Sequence, residues 1–285
     1  MARRSSEPVR RPTVSVQLGA VDASGRVQAR PDRLVTEEPM EIRVHGPGEA
    51  PMAVAVTMRT PGHDFDLAIG FLHSEGIVAG PDDIAQAAYC MGPDGEQEYN
   101  VVTVRTRRPV VDRVRPRPFT ANSSCGVCGK ATLDDLATHC PTLHGVGPML
   151  DVAVVHELPA RLAARQVHFD ATGGVHGVAL VDSEGVPFIV REDVGRHNAL
   201  DKCIGAALVA GRLPLHDSAA VVSGRLGFEL VQKAAVAGIP VIVAVGAPTS
   251  LAVETARRLG QTVVAFARDG RCNVYTVPER IVLGD

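Results

Sequence analysis

The chain has 285 residues, room for roughly two domains at about 150 residues each, and 45% are hydrophobic against 21% charged. That composition supports a packed core and excludes a mainly disordered scaffold. With 29 basic and 32 acidic residues the formal net charge is -3, so no global field would hold a nucleic acid, and 4% aromatics with no Trp argue against stacking along a single strand.

No uncharged apolar run reaches the roughly 18 residues of a membrane span, and no apolar segment follows the Arg-rich start, so the cytoplasm is the expected compartment. Residues 1–33 carry seven Arg against three acids and read as a flexible Arg-rich N-terminal arm. Residues 34–134 read as a smaller and connecting region that ends in a CxxC loop. Within it PMAVAVTM at 51–58 is strand-like and TPGHD at 60–64 turns the chain. FDLAIGFLHSEG at 65–76 sets Phe71 four residues after Leu67 and Leu72 four after Ala68, which predicts a helix. Asp64 and Asp66 suit its positive end, and Gly76 its stop. NVVTV at 100–104 predicts a strand; six Arg and one Asp follow between 105 and 117, with Pro residues that disfavour a regular buried element.

Residues 135–285 read as the main α/β domain, with strand contributions from the N-terminal half. GGVHGVALVD at 173–182 and VPFIV at 186–190 predict paired strands, and HNALDKCIGAAL at 197–208 a helix with Cys203 on its apolar face. Strand then alternates with helix: AAVVS at 219–223, a helix over 228–237, PVIVAVG at 240–246, a helix over 251–259, TVVAFA at 262–267 and NVYTV. Continuous Val and Ile runs in these units favour parallel pairing with both faces covered. Glu229 and Lys233 have the spacing of a favourable i,i+4 pair.

The sharpest local feature is Ser123-Ser124-Cys125-Gly126-Val127-Cys128-Gly129. A CxxC serves as a redox pair, a zinc half-site or a nucleophilic thiol with a neighbour. Cys140 and His144 complete a set with near-zinc spacing, whereas the flanking Gly and Ser residues suit an accessible loop tip. An unperturbed thiol is only about 3% thiolate at pH 7, so a carrier cysteine needs a lowered pKa, for which the Arg-rich run and Lys130 are candidate sources. A second thiol three residues away can assist release of a bound sulfur or discharge it. A zinc nucleotide deaminase places Pro before its CxxC; Ser124 stands here, so no water-activating site is expected. No GxxxxGK[ST] loop occurs, and Gly173-Gly174-Val175-His176-Gly177 lacks the dinucleotide spacing.

Other polar clusters fall where α/β sheets bind ligands, at strand ends before helices. Arg191-Glu192-Asp193-Val194-Gly195-Arg196-His197-Asn198 is either an internally paired loop or a ligand loop. Ser223-Gly224-Arg225 and Gly246-Ala247-Pro248-Thr249-Ser250 offer amides and hydroxyls to phosphates or simply form turns. Phe266-Ala267-Arg268-Asp269-Gly270-Arg271 ends a strand with two guanidiniums able to clamp a pyrophosphate; Asp269 serves a guanine edge or offsets Arg. His63 is a further candidate. Among 29 basic residues only Lys130, Lys202 and Lys233 are Lys, which suits such clamps and equally reflects codon bias.

Across residues 35–280 the sequence resembles the formate dehydrogenase accessory sulfurtransferase (FdhD/NarQ) family, on the ordered blocks TPGHDFDLAIGFLHSEGI, SSCGVCG, TGGVHGVAL, REDVGRHNALDK, SGRLGFELVQKA, GAPTSLAV and FARDGRCNVYT. The resemblance implies a cytidine-deaminase-like layered α/β domain with a smaller associated α+β domain, in a cytoplasmic homodimer. It also implies a sulfur carrier that takes persulfide sulfur from a cysteine desulfurase and passes it to molybdenum bis(molybdopterin guanine dinucleotide) before insertion into formate dehydrogenase, with GDP able to occupy the nucleotide portion. Carried onto this chain, Cys125 is the persulfide-bearing residue, Cys128 its companion, and Phe266, Ala267, Arg268, Asp269, Gly270 and Arg271 the cofactor segment. No resident metal is implied. A non-enzymatic cofactor chaperone and a structural zinc-binding module are the alternatives.

Overall fold

The computed structural model describes residues 11–91, 97–114 and 140–284. Alternating small and branched apolar residues in its second half build a six-stranded sheet in the order β13-β12-β11-β10-β8-β9, from β8 (His176–Val181), β9 (Pro187–Asp193), β10 (Ala219–Val222), β11 (Val241–Ala244), β12 (Thr262–Arg268) and β13 (Arg271–Thr276). β10, β11 and β12 are parallel, and the flanking pairs are antiparallel. Parallel strands need crossovers, and these are the predicted helices, here α5 (Phe228–Val236) and α6 (Ser250–Leu259).

The period of two in the strands assigns each residue to a face. Val178, Leu180, Ala220, Val222, Ile242 and Ala244 meet α5, α6 and α4 (Arg196–Val209) on one side. Ala179, Val181, Val221, Val241 and Val243 meet Val155, Leu158 and Leu162 of α2 (Val152–Ala163) on the other. Cys203 sits in the first of these cores, wholly buried, with its thiol pushed up to about 12 by desolvation. The core reading of that cysteine therefore holds.

The first half folds around its own sheet, ordered β4-β3-β6-β5, from β3 (Glu38–His45), β4 (Met52–Arg59), β5 (Ile84–Met91) and β6 (Gln97–Thr106). Met40, Ile42, Val44, Val102 and Val104 cover Leu67, Ile69 and Leu72 of α1 (Asp64–Ser74). None of these strands joins the six-stranded sheet. The expected strand contribution is instead a helical one, because α1 packs on α4 through two glycines. A Cβ on Gly70 would lie 1.8 Å from the Asp201 carbonyl oxygen, and one on Gly205 1.9 Å from that of Asp66. Backbones this close have no room for a side chain.

Two expectations change. Residues 13–33, read as part of a flexible arm, lie in the antiparallel hairpin of β1 (Thr13–Val21) and β2 (Val27–Val35). Its strands face solvent over much of both sides, so they lack the one-sided apolar pattern that reveals a strand in sequence. The i,i+4 pair is also displaced: Lys233 turns inward to Asp201, 2.7 Å away, while Glu229 lies 3.1 Å from His197 Nε2. A buried carboxylate holds Lys233 more strongly than an exposed neighbour on the same helix would. A short helix α3 (Val167–Thr172) and the minor pair β7 (Leu150–Asp151) with β14 (Ile281–Val282) complete the described fold.

Candidate functional site

Strand direction gathers four of the sequence clusters at one sheet edge. The parallel strands β10, β11 and β12 end there, the antiparallel β8 begins there at His176, and β9 ends there at Asp193, the register partner of His176. The turns after β10 and β11 are knitted together: Gly246 N donates to Gly224 O, Leu226 N to Ala247 O and Thr249 N to Leu226 O, at 3.1, 3.0 and 2.9 Å. A Cβ on Gly246 would come 2.8 Å from the Gly224 carbonyl, so only glycine permits the approach. Thr249 is spent as a cap, its hydroxyl accepting from Ala252 N, whereas Arg225 projects into solvent.

Beside these turns lies an open groove of about 750 Å³, lined by Ala247, Pro248, Thr249, Ser250, Val253, Glu254, Arg257, Phe266 and Tyr275. Phe266 brings an aromatic wall to it in an unusual way. The β12–β13 register slips between Ala265 and Arg268, and Phe266 takes φ 53° there, a left-handed conformation costly for a bulky residue. Asp269, at φ 53°, and Gly270, at φ 68°, then reverse the chain. Arg268, Asp269 and Arg271 are all exposed, and none forms an ion pair with another described residue. Asp269 therefore does not offset either arginine. Of the Phe266–Arg271 segment, Phe266 alone lines the groove; Ala267 is core. Sequence reasoning missed Glu254, Arg257 and Tyr275, whose proximity arises from α6 and β13 folding over the turn. The polar face of α6 was their only signal.

The run from Arg191 to Asn198 divides between two jobs. Asp193 is fully buried, accepting from Thr60 N at 3.1 Å, Gly195 N at 2.9 Å and Asn198 Nδ2 at 3.0 Å, and pairing with Lys202 Nζ at 2.7 Å. Asn198 also donates to the Met58 carbonyl, and Lys202 to that of Thr60. Arg191 pairs with Asp66 at 2.9 Å, and Glu192 accepts the His168 and Phe169 amides that open α3. These side chains fasten the first half to the second. Arg196 and His197 instead face the edge with His176. Burial, aided by the Arg196 charge, lowers both imidazole pKa values, that of His197 to about 3. The His197 Nε2 lies 3.1 Å from a Glu229 carboxylate oxygen.

His63, in left-handed conformation at the start of α1, is exposed and lies 3.5 Å from Asp66. Its side chain makes no cap. Cys125 and Cys128 lie outside the described residues. Cys140 packs with Leu143, Ala235 and Leu259, and burial pushes its thiol up to about 11. Among the described residues no three His, Cys, Asp or Glu side chains cluster to hold a metal. A His-x-Glu spacing upstream of the CxxC occurs at His73-Ser74-Glu75, but His73 is buried at the end of α1 with Nδ1 3.1 Å from the Val78 carbonyl oxygen. Among the described residues no helix is long and apolar enough to cross a membrane.

A mixed α/β protein with loops gathered at the C-terminal ends of parallel strands has the layout of a small-molecule-binding protein. The profile of the FdhD/NarQ family matches residues 35–282, and the chain belongs to that family. It is 49% identical over 265 residues to a sulfur carrier protein FdhD from Streptomyces avermitilis, covering 91% of this chain and 92% of that one. A sulfur carrier protein FdhD from Mycobacterium tuberculosis is 45% identical, over 91% and 95%. The crystal structure of a candidate formate dehydrogenase accessory protein from Desulfotalea psychrophila shares the fold, with a TM-score of 0.71 at 24% identity over 95% of this chain and 99% of that one.

Proposed function

We propose that the protein is a sulfur carrier that accepts sulfur on Cys125 from a cysteine desulfurase and delivers it to a guanine-dinucleotide molybdenum cofactor held as cargo at the sheet edge, for a formate dehydrogenase. The observation that carries the reading is the meeting of Phe266 with the Gly246–Ser250 turn in one groove lined also by Arg257, with Arg268 and Arg271 exposed a few residues beyond Phe266 and not ion-paired with another described residue. An aromatic wall, a carboxylate at Glu254 and free guanidiniums suit a purine nucleotide with its phosphates. A working homodimer and the persulfide chemistry belong to the same proposal, which family membership supports. The cytidine-deaminase-like layering of the sheet domain belongs to the same proposal, as does a cytoplasmic location.

In the first step the Cys125 thiolate attacks the outer sulfur of the desulfurase persulfide; a new S–S bond forms at Cys125, and the desulfurase leaves as its thiolate. In the second, the Cys128 thiolate attacks the Cys125 sulfur, forming the Cys125–Cys128 disulfide and releasing hydrosulfide to the metal of the cargo. The dithiol supplies the two electrons that convert sulfane sulfur to sulfide, and an external dithiol resets the pair.

Intact-protein mass after incubation with a cysteine desulfurase and cysteine tests the carrier step. One added sulfur is expected on the native chain and none on Cys125→Ala, while Cys128→Ala retains its sulfur. No adduct on the native chain, with GDP still bound, would leave a non-enzymatic cofactor chaperone. Stoichiometric zinc with loss of folding in the Cys variants would support the structural zinc module.

A further inference from the structure

Arg196 stands at the same edge as the groove but beyond it. Between β12, which carries Phe266, and β8, which carries His176, lie β11 and β10, so at the usual strand spacing the two positions are about 14 Å apart. The Arg196 Nε is buried and has no hydrogen-bond partner among the described residues. An unmade hydrogen bond at a buried charged group is costly, so such a donor points to an acceptor from outside the chain. No nearby carboxylate supplies one. Asp193 is occupied by Thr60, Gly195, Asn198 and Lys202, and Glu229 by His197.

The surroundings have the shape and chemistry of an anion seat. The Gly224 turn passes directly over the pair: a Cβ there would lie 3.1 Å from His176 Nδ1 and 4.0 Å from Arg196 Cδ. Any side chain at that position would crowd the imidazole. Arg225, the next residue, is exposed and has no ion-pair partner among the described residues. The Arg196 guanidinium and the His176 imidazole thus lie together under the Gly224 turn, with His197 and Arg225 each one residue away along the chain.

We propose that Arg196, His176, His197 and Arg225 form a second binding station, for a pyrophosphate or phosphate group on the cargo at the end remote from the base in the Phe266 groove. The station rests on the cargo reading above and extends it. A molecule with one anchor at β12 and another at β8 must be extended and anionic along its length, so a free nucleoside fills only the first. Arg196 and Arg225 bind and orient the phosphoryl oxygens, His176 supplies an N–H donor, and His197 flanks them.

The test uses the full chain and two probes, inorganic pyrophosphate and guanosine, titrated separately by calorimetry, with the imidazole resonances of His176 and His197 followed by NMR. Pyrophosphate is expected to shift both imidazoles and to bind at least tenfold more weakly to Arg196→Ala, with guanosine binding unchanged. Arg196→Lys, which keeps the charge but not the Nε–H fork, is expected to fall between. Phe266→Ala should weaken guanosine and spare pyrophosphate. Pyrophosphate affinity unchanged in folded Arg196→Ala and Arg196→Lys, or imidazole signals that do not move, overturns the station. That outcome, with the sulfur adduct and GDP binding intact, sinks this inference alone. Pyrophosphate held at Arg196 without any guanosine binding supports the station while sinking the cargo reading.

Discussion

The seam between the two halves and the sheet edge are built from the same residue types and treat them in opposite ways. At the seam each charged group finds a partner: Arg59, fully buried, bonds to Asp64 and Glu38, Asp193 to Lys202, and Asp66 to Arg191. At the edge, Arg225, Arg268 and Arg271 have no ionic partner among the described residues, and the buried Arg196 Nε has no hydrogen-bond partner among them. The run from Arg191 to Asn198 belongs to both. What separates the two sets of charges here is whether the fold itself satisfies them.

The contrast breaks most visibly at Asp193. Asp193→Ala leaves the buried Lys202 ammonium without its carboxylate, and urea denaturation should show a loss of about 3–5 kcal/mol. A conservative Asp193→Asn that costs nothing would remove the seam's claim to be structural. The helix crossing comes next. Gly70→Ala drives a methyl group into the Asp201 carbonyl, and a loss of about 1–3 kcal/mol by the same measurement is expected for such overpacking.

Acid sharpens the comparison through His197. Its pKa falls from 6.5 to about 3, chiefly by burial and then by the charges of Arg196 and Lys233. The unfolded chain takes up a proton below about 6.5 that the folded chain refuses until about 3, so this contribution is complete above 6.5 and declines as pH falls through that window. His197→Gln should flatten the stability profile between pH 6.5 and 4.5; an unchanged slope would place the imidazole in a more solvated setting. The smallest stability effect belongs to the exposed loop. Arg268→Ala and Arg271→Ala should change unfolding free energy by less than about 0.5 kcal/mol while weakening GDP at least tenfold in calorimetry. A stability loss comparable to that of Asp193→Ala would merge the two regions.

Much of the fold could be read in advance where the local pattern and the final environment agree. The Val and Ile runs at 219–222, 241–244 and 262–265 are buried on both faces, and a continuous apolar strand flanked by a helix has few other uses. Strand β5 and helix α2 escaped notice. β5 is half-buried along nearly its whole length, and α2 carries Pro159 inside it, so neither shows a clean period. Phe266–Arg271 was legible as a strand end and reversal because a glycine and charged residues follow an apolar strand. Glu254, Arg257 and Tyr275 were not legible as groove residues, since nothing in their own neighbourhoods distinguishes them from a solvated helix face and a strand.

The sequence by itself determined the alternating strand and helix units of the second half, the CxxC, the Arg-bearing turns and the family. These depend on residue type and spacing over fewer than about ten positions, the range over which hydrophobic period and turn chemistry act. Tertiary structure alone decided that the turns share one edge, that Lys233 pairs with Asp201 in place of Glu229, that Asp193 is a fastening while the Arg196 Nε three residues later is buried without a hydrogen-bond partner among the described residues, and that Gly70 meets Gly205. Each of those outcomes depends on strand order or on what lies across an interface, and a charge declares its role only when its neighbours from distant parts of the chain arrive.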